Sequence, residues 1–135
     1  AIYERFIERY VDQPGARLQF VEHHSHTDKA NKQVRYVEAE ITDNGETVRI
    51  DGRGTGPIDG FVNALSTYLG FEMTVANYSE HSLQHGSNAA AICYMEMESP
   101  AGKVFGVGIN TNIVAASLAA VVSAANRYLE IKASA

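Results

Sequence analysis

The sequence has little of what several classes of protein require. Its 135 residues include one cysteine, Cys93, so an internal disulfide is excluded and a reducing compartment is indicated. No apolar run approaches the roughly 20 residues that span a bilayer, and no secretory leader is recognisable, so we expect no membrane partner. The net charge is −5 and no basic cluster is present, which disfavours a nucleic-acid partner. We therefore expect a cytoplasmic protein.

The composition fits one globular domain or two small halves that share a core. Apolar residues make up 45% and charged residues 20%, which is too apolar for a disordered chain. Because the chain opens AIYERFIERY without Met, we expect a piece cut from a longer protein. Residues 1–16 are then an N-terminal tail or linker, and residues 17–135 form the domain.

An internal repeat sets the expected fold. The segments Glu46–Gly70 and Lys103–Glu130 each contain a short β-rich run, a Gly-x-Gly, a few turn residues and a long helix. The glycines that correspond at one constant offset are Gly52 with Gly106 and Gly54 with Gly108. The pattern predicts an α+β fold of two tandem pseudo-symmetric βββα units, about 17–70 and 71–130, with sheets packed against helices. Chance similarity between small apolar segments is the alternative.

Local signals support these elements. Leu18–His23 and Val34–Ile41 alternate in part as half-buried strands do, and Asp43-Asn44-Gly45 is typical of a hairpin turn. Pro57 can open the first helix and Gly70 suits the position just past its end. The residues expected to face a sheet from this helix are Phe61, Ala64, Leu65 and Tyr68.

The second helix is expected to start near Asn112, with Thr111 or Asn110 as its cap, and to run to about Leu129. Its apolar face is broad and rich in small residues. A helix that is apolar on more than one side requires a second partner, which indicates self-association.

Two clusters of polar residues invite a catalytic or metal-binding interpretation. His24 and His26 would share one face of a strand, next to His23, and Asp28 is a possible third ligand. Solvated histidines at a strand end are the more common outcome, and a small metal hydrolase is the corresponding alternative function.

The second cluster consists of Glu80, His81 and His85. Together with Cys93 it could be interpreted as a catalytic pair, with the thiol as nucleophile and a neighbouring polar side chain as base. Cys93 lies in AAAICYMEM, which is typical of a buried strand, and a buried thiol is unreactive.

The stretch GRGTGPID, residues 52–59, is the strongest candidate for a ligand site. It is neither a phosphate loop nor a dinucleotide fingerprint. A helix that opens at Pro57 leaves free N–H groups on the following residues, and these can receive a carboxylate. Asp59 in the first turn has a simpler interpretation, since it complements the helix dipole. A tight strand-to-helix turn without a ligand is the alternative.

Three motif regions together resemble one known family. GRGTGPIDGFVNAL, NYSEHSLQHGSNAAAICYMEM and VFGVGINTNIVAASLAAVVSAANR are similar to the C-terminal regulatory domain of 2-isopropylmalate synthase, over about Arg17 to Arg127. The resemblance implies two βββα units, a homodimer and leucine as feedback inhibitor of leucine biosynthesis. It also implies that the partner within the parent chain is a catalytic TIM barrel, absent here, to which the divalent metal and acetyl-CoA belong.

The resemblance therefore implies no catalytic residue, no metal ligand and no cofactor in this chain, because His24-Ser25-His26 does not continue the barrel's metal motif. Backbone N–H groups near Ile58 and Asp59 are expected to take the leucine carboxylate. The Asp59 side chain or strand-end carbonyls are expected to take the ammonium. The residues that the resemblance places around leucine are Gly54, Gly56, Pro57, Ile58, Asp59, Tyr78, His81, Ala89, Ala91, Val107 and Ile109.

Two alternatives keep the fold. One is an isoleucine-binding regulatory domain of citramalate synthase, which has a different effector. Even leucine and valine, which differ by one methylene, are expected to differ in binding by only about 1–3 kcal/mol. A dimerisation module without a ligand keeps the dimer and loses the response to an amino acid.

Overall fold

The computed structural model describes residues 16–85 and 88–134, and for residues 83–85 and 88 it describes the backbone alone. The expected N-terminal tail or linker lies outside the described residues except for Ala16, and so does the side chain of His85. The elements within the described ranges are β1 (Leu18–Thr27), β2 (Arg35–Asp43), β3 (Glu46–Gly54), α1 (Pro57–Leu69), β4 (Thr74–His85), β5 (Asn88–Ser99), β6 (Gly102–Asn110) and α2 (Ile113–Ser134).

The element order confirms two tandem βββα units. Strands β1-β2-β3 form one antiparallel sheet and β4-β5-β6 form a second, and a helix follows each sheet. The first strand of each sheet carries a bulge near its start, between Phe20 and Glu22 in β1 and between Val75 and Asn77 in β4. The second unit therefore repeats an irregularity of the first as well as its topology.

Turn and cap chemistry set the ends of the elements. Asn44 and Gly45 both have positive φ, 52° and 85°, which is the twist that a two-residue hairpin requires. Pro57 opens α1, and Gly70 follows it in the left-handed conformation with φ 81°. Helix α2 runs past the expected end at Leu129 to Ser134, because no glycine or proline interrupts the sequence there.

One hydrophobic core joins the two units. The inner faces of both sheets and the facing sides of both helices contribute to it, and α2 also packs against β1. Within the described residues, no helix combines the length and the apolar character needed to cross a bilayer. The largest fully buried side chains include Phe61, Ile41, Leu65, Met95, Met97 and Leu118.

Glycines let each helix approach its sheet closely, and they correct the register of the repeat. A Cβ on Gly52 would lie 2.5 Å from the Gly60 carbonyl oxygen, and a Cβ on Gly108 would lie 2.5 Å from the Ala120 amide nitrogen. Gly52 contacts the fourth and eighth residues of α1, and Gly108 contacts the fourth and eighth residues of α2, whereas Gly106 contacts α2 one turn later, at Ala120 and Ala124. Gly52 therefore corresponds to Gly108, and the expected match with Gly106 is wrong.

Tyr68 also departs from expectation. It is 39% exposed and does not enter the core, whereas the other three helix residues expected to face the sheet are buried. Its hydroxyl donates to Asp43 Oδ2 at 2.6 Å, and Arg17 Nε lies 2.8 Å from Asp43 Oδ1. The phenol therefore ties the end of α1 to the turn between β2 and β3.

Candidate functional site

A cavity of about 650 Å³ lies where the N-terminal ends of both helices meet the inner face of β4. It is thus built by both units and opens to solvent on one side. On β4, Tyr78 and Glu80 point toward it, because their cross-strand partners on β5, Met95 and Cys93, belong to the buried face of that sheet. The lining residues are Thr55, Gly56, Pro57, Ile58, Asp59, Val62, Asn63, Met73, Thr74, Val75, Tyr78, Glu80, Ile113, Val114 and Ser117.

The N-terminal end of α1 presents free hydrogen-bond donors to this cavity. Its N-cap is Gly56, which has no side chain to accept a hydrogen bond, and Pro57 follows as the first helical residue. The N–H groups of Ile58 and Asp59 come too early in the helix to find an acceptor four residues back. Unpaired N–H groups at a helix N-terminus favour an anion.

Asp59 holds the turn that leads into α1. Its Oδ2 accepts a hydrogen bond from the backbone N–H of Thr55 at 2.9 Å and contacts Thr55 Oγ1 at 3.4 Å. Gly54 lies directly beneath, where a Cβ would collide with the Asp59 carboxylate and would lie 2.6 Å from the Gly60 amide nitrogen. The glycine therefore lets β3 pass under the first turn of the helix.

The N-terminal end of α2 differs, because a side chain closes it. Asn112 Oδ1 accepts a hydrogen bond from the N–H of Ala115 at 2.9 Å, and Asn110 Oδ1 accepts one from the N–H of Asn112. Asn112 is thus the cap of α2, whereas Thr111 or Asn110 was expected. With the corrected register Asn112 corresponds to Gly56, so only one of the two related helix ends is left open.

Glu80, Ser117 and Cys93 form a polar group on the β4 side of the cavity, in which Glu80 is exposed and the other two are buried. Ser117 is fully buried, and its hydroxyl donates to Glu80 Oε1 at 2.8 Å. Burial raises the pKa of the Cys93 thiol, an effect larger than that of its hydrogen bond with Ser117. A protonated, buried thiol is a poor nucleophile, so the arrangement does not favour covalent catalysis.

The charges that line the cavity all have one sign. Asp59 and Glu80 contribute carboxylates, and no lysine, arginine or histidine is among the described lining residues. Most of the remaining wall is apolar. Such a site suits a small molecule with a cationic group, an anionic group for the open helix end and a branched apolar body. The apolar residues of the wall are Ile58, Val62, Met73, Val75, Ile113 and Val114.

The structure brings five of the eleven predicted ligand residues to this cavity. These are Gly56, Pro57, Ile58, Asp59 and Tyr78, and Gly54 supports them from below. The other five do not line it, and their assignment as ligand contacts stays a prediction.

The strand register shows where those five lie. His81 pairs with Ile92 and Val107 pairs with Tyr94, on the face of the second sheet turned away from α2, and Ile109 shares that face. The His81 ring lies 5.9 Å from that of Tyr94. Ala91 packs against the core from the inner face, and Ala89 is exposed near the start of β5.

Several lining residues were not predicted from the sequence. Ile113, Val114 and Ser117 come from α2, whose first turn was not considered part of the site. The repeat was the available signal, because in the corrected register Ile113 and Val114 correspond to Pro57 and Ile58. The other lining residues missed are Thr55, Val62, Asn63, Met73, Thr74, Val75 and, as a ligand contact, Glu80.

The histidine cluster divides between the two faces of β1. His23 lies on the inner face, with its ring 6.1 Å from that of Phe20, and burial lowers its pKa. His24 and His26 share the outer face, as expected, and the His26 ring lies 5.1 Å from that of Tyr36. Across residues 16–85 and 88–134 no group of three or more metal-binding side chains comes together. A metal site here therefore has no geometric support.

Comparison with known proteins places the chain in a defined group. Residues 1–129 match the family model described as the LeuA allosteric (dimerisation) domain. The chain is 69% identical over 130 residues to a 2-isopropylmalate synthase of Rhizobium meliloti (strain 1021), an alignment that covers 96% of this chain and 23% of that protein. It is 70% identical over 132 residues to one of Agrobacterium fabrum and 41% identical over 126 residues to one of Rhodospirillum rubrum. The chain spans about a quarter of the length of these relatives.

Proposed function

Because the chain belongs to the family of LeuA allosteric (dimerisation) domains, we propose that it binds leucine in the cavity between its two helix ends, as the feedback effector of a 2-isopropylmalate synthase. The observation that carries the proposal is the composition of the cavity wall. An open helix end, two carboxylates and branched apolar side chains match the three parts of an apolar α-amino acid.

Each part of leucine has a counterpart in the wall. The carboxylate is received by the N–H groups of Ile58 and Asp59, which the glycine cap leaves free. The isobutyl group lies against Val62, Met73 and Val75, and its burial stabilises the complex by about 2–3 kcal/mol. A site that holds both charged ends also selects against larger polar amino acids, because their side chains would be buried without partners.

The chain on this proposal regulates and does not catalyse. The metal and acetyl-CoA are assigned to the catalytic barrel of the longer parent protein, which is the domain's partner within that chain, and the domain itself takes no cofactor. A cytoplasmic location follows from the same role in leucine biosynthesis.

The second part of the proposal is a homodimer. Tyr78 and Ile113, at the mouth of the cavity, are 47% and 50% exposed, which is high for large apolar side chains. A second copy of the chain packed over this mouth would cover both and would exclude water from the ligand. Light scattering coupled to size exclusion tests the assembly directly, and a monomer with and without leucine contradicts it.

A thermal-shift titration with leucine, isoleucine, valine and glutamine tests the effector. A ligand at about 100 times its dissociation constant adds about 2.7 kcal/mol of stability. We expect the largest shift with leucine, a smaller one with valine and none with glutamine. A response to isoleucine alone would identify the regulatory domain of a citramalate synthase, and a dimer that responds to no amino acid would be a dimerisation module only.

A further inference from the structure

We infer that Glu80, anchored by Ser117, is the residue that binds the ammonium group of the effector and so makes the cavity selective for an amino acid over the 2-hydroxy or 2-oxo acid with the same side chain. This inference rests on the proposed function, since it names the polar contact that decides between ligands in the same cavity.

The first step is that the Glu80 carboxylate, exposed at the cavity, is held by one hydrogen bond and takes part in no ion pair among the described residues. Its Oε1 accepts a hydrogen bond from Ser117, which is fully buried on the first turns of α2. The ion pairs found in the described part of the chain join other residues, and none of them involves Glu80. The second carboxylate oxygen, Oε2, makes no hydrogen bond within that part of the chain. A positioned carboxylate in a cavity without a cationic side chain is matched by a cation on the ligand.

The second step concerns the other carboxylate of the wall. Asp59 occupies the first turn of α1 and accepts two contacts from Thr55, which hold the turn in place. It also stands beside the same N–H groups that receive the ligand carboxylate, so its charge opposes the anion there. Asp59 therefore shapes the carboxylate end of the site, and Glu80, on β4, supplies the ammonium end.

The consequence is chemical selectivity at the ligand's second carbon. Leucine carries an ammonium at that carbon, whereas the related 2-oxo and 2-hydroxy acids carry a neutral oxygen and otherwise present the same carboxylate and isobutyl group. An oxo group cannot donate a hydrogen bond to the Glu80 carboxylate, and a hydroxyl donates one hydrogen bond but leaves the negative charge without a cation once water is excluded, which costs more than a lost methylene contact. The site therefore responds to the aminated compound and ignores its unaminated analogues.

The test is isothermal titration of the chain and of Glu80→Gln with leucine and with (S)-2-hydroxy-4-methylpentanoate. Glutamine keeps an oxygen that accepts from Ser117, removes the charge and replaces the second oxygen by an NH2 group. We expect Glu80→Gln to weaken leucine binding by about 10-fold or more and to strengthen hydroxy-acid binding, because the unpaired charge is removed, so that the preference for leucine is lost. Ser117→Ala, which releases Glu80, should give a smaller loss in the same direction.

The outcomes separate the inference from the function on which it rests. If the unmodified chain does not bind leucine, the proposed function fails and Glu80 loses its role with it. If the chain binds leucine and Glu80→Gln retains the full preference over the hydroxy acid, the inference alone is overturned. Asp59→Asn serves as the matched control, and a collapse of the preference in that variant alone would assign the ammonium to Asp59. Melting temperatures of all variants establish that each is folded.

Discussion

The open end of α1 makes one substitution unusually informative. Replacing Gly56 by Asn copies the arrangement at α2, where Asn112 caps the helix. Gly56 has φ −160° and ψ −179°, which any residue adopts, and a Cβ there meets no atom within 4 Å. The new side chain is therefore free to accept a hydrogen bond from the N–H groups that follow Pro57, the groups that we assign to the ligand carboxylate.

Stability and binding should then change in opposite directions. Asn is a better N-cap than Gly by a few tenths of a kcal/mol, so the free energy of unfolding without ligand should rise slightly. The ligand must displace the new cap from its donors, and hydrogen bonds to a charged group contribute about 1.5–3 kcal/mol. We expect leucine affinity to fall by about 10- to 100-fold. Urea denaturation measures the first quantity and isothermal titration the second.

The matched control is Gly56→Ala, which adds the Cβ without a hydrogen-bond acceptor. Its affinity for leucine should stay within about 3-fold of that of the unmodified chain, because the added methyl group has open space around it. Unchanged leucine binding in Gly56→Asn would refute the assignment of the carboxylate to this helix end. An equal loss in both variants would show that bulk at position 56, and not capping, blocks the ligand.

Three further predictions concern stability. Gly108→Ala should lower the free energy of unfolding by about 1–3 kcal/mol, because the new Cβ would lie 2.5 Å from the Ala120 amide nitrogen. Urea denaturation measures this change. Gly56→Ala is the control, because a Cβ at position 56 meets no atom within 4 Å. Asn126→Ala should cost about 2–4 kcal/mol, since the buried amide bonds both the N–H and the C=O at the start of β1, and an unchanged melting temperature would contradict that role. The hydrogen bond from Arg17 lowers the pKa of Asp43, so this carboxylate stabilises the fold above its unfolded pKa and loses that contribution as the pH falls through its lower folded value. Urea midpoints at pH 6 and pH 3 should therefore differ less in Asp43→Asn than in the unmodified chain.

Much of the fold was predictable from the sequence, because its signals are local. Pro57 and Gly70 mark the ends of α1 through backbone geometry that any structure must satisfy, and Asn44-Gly45 specifies the hairpin twist. The register of the repeat was not predictable in the same way. A Gly-x-Gly pattern fits Gly52 to Gly106 as well as to Gly108, and only the contact of each glycine with its helix decides between them.

Apart from Tyr78 on β4, the site was predictable on one side only. The motif that leads into α1 is recognisable, and the four residues predicted from it that line the cavity are Gly56, Pro57, Ile58 and Asp59. The opposite wall consists of ordinary apolar residues and a serine whose role depends on which helix end meets which strand. Ser117 looks like one more small residue on a helix face, and only tertiary packing brings its hydroxyl within 2.8 Å of Glu80.

Helix α2 is long enough to contact both the cavity and the start of β1. Ser117 lines the cavity, and Asn126 lies about 14 Å further along the helix axis. The Asn126 side chain accepts a hydrogen bond from the N–H of Leu18 and donates one to its C=O. A continuous helix is stiff over two to three turns. Ser117 and Asn126 therefore move together when α2 moves. Asn126 thus ties the middle of α2 to Leu18 at the start of β1. A displacement of α2 at the cavity would therefore also displace the first residue of β1.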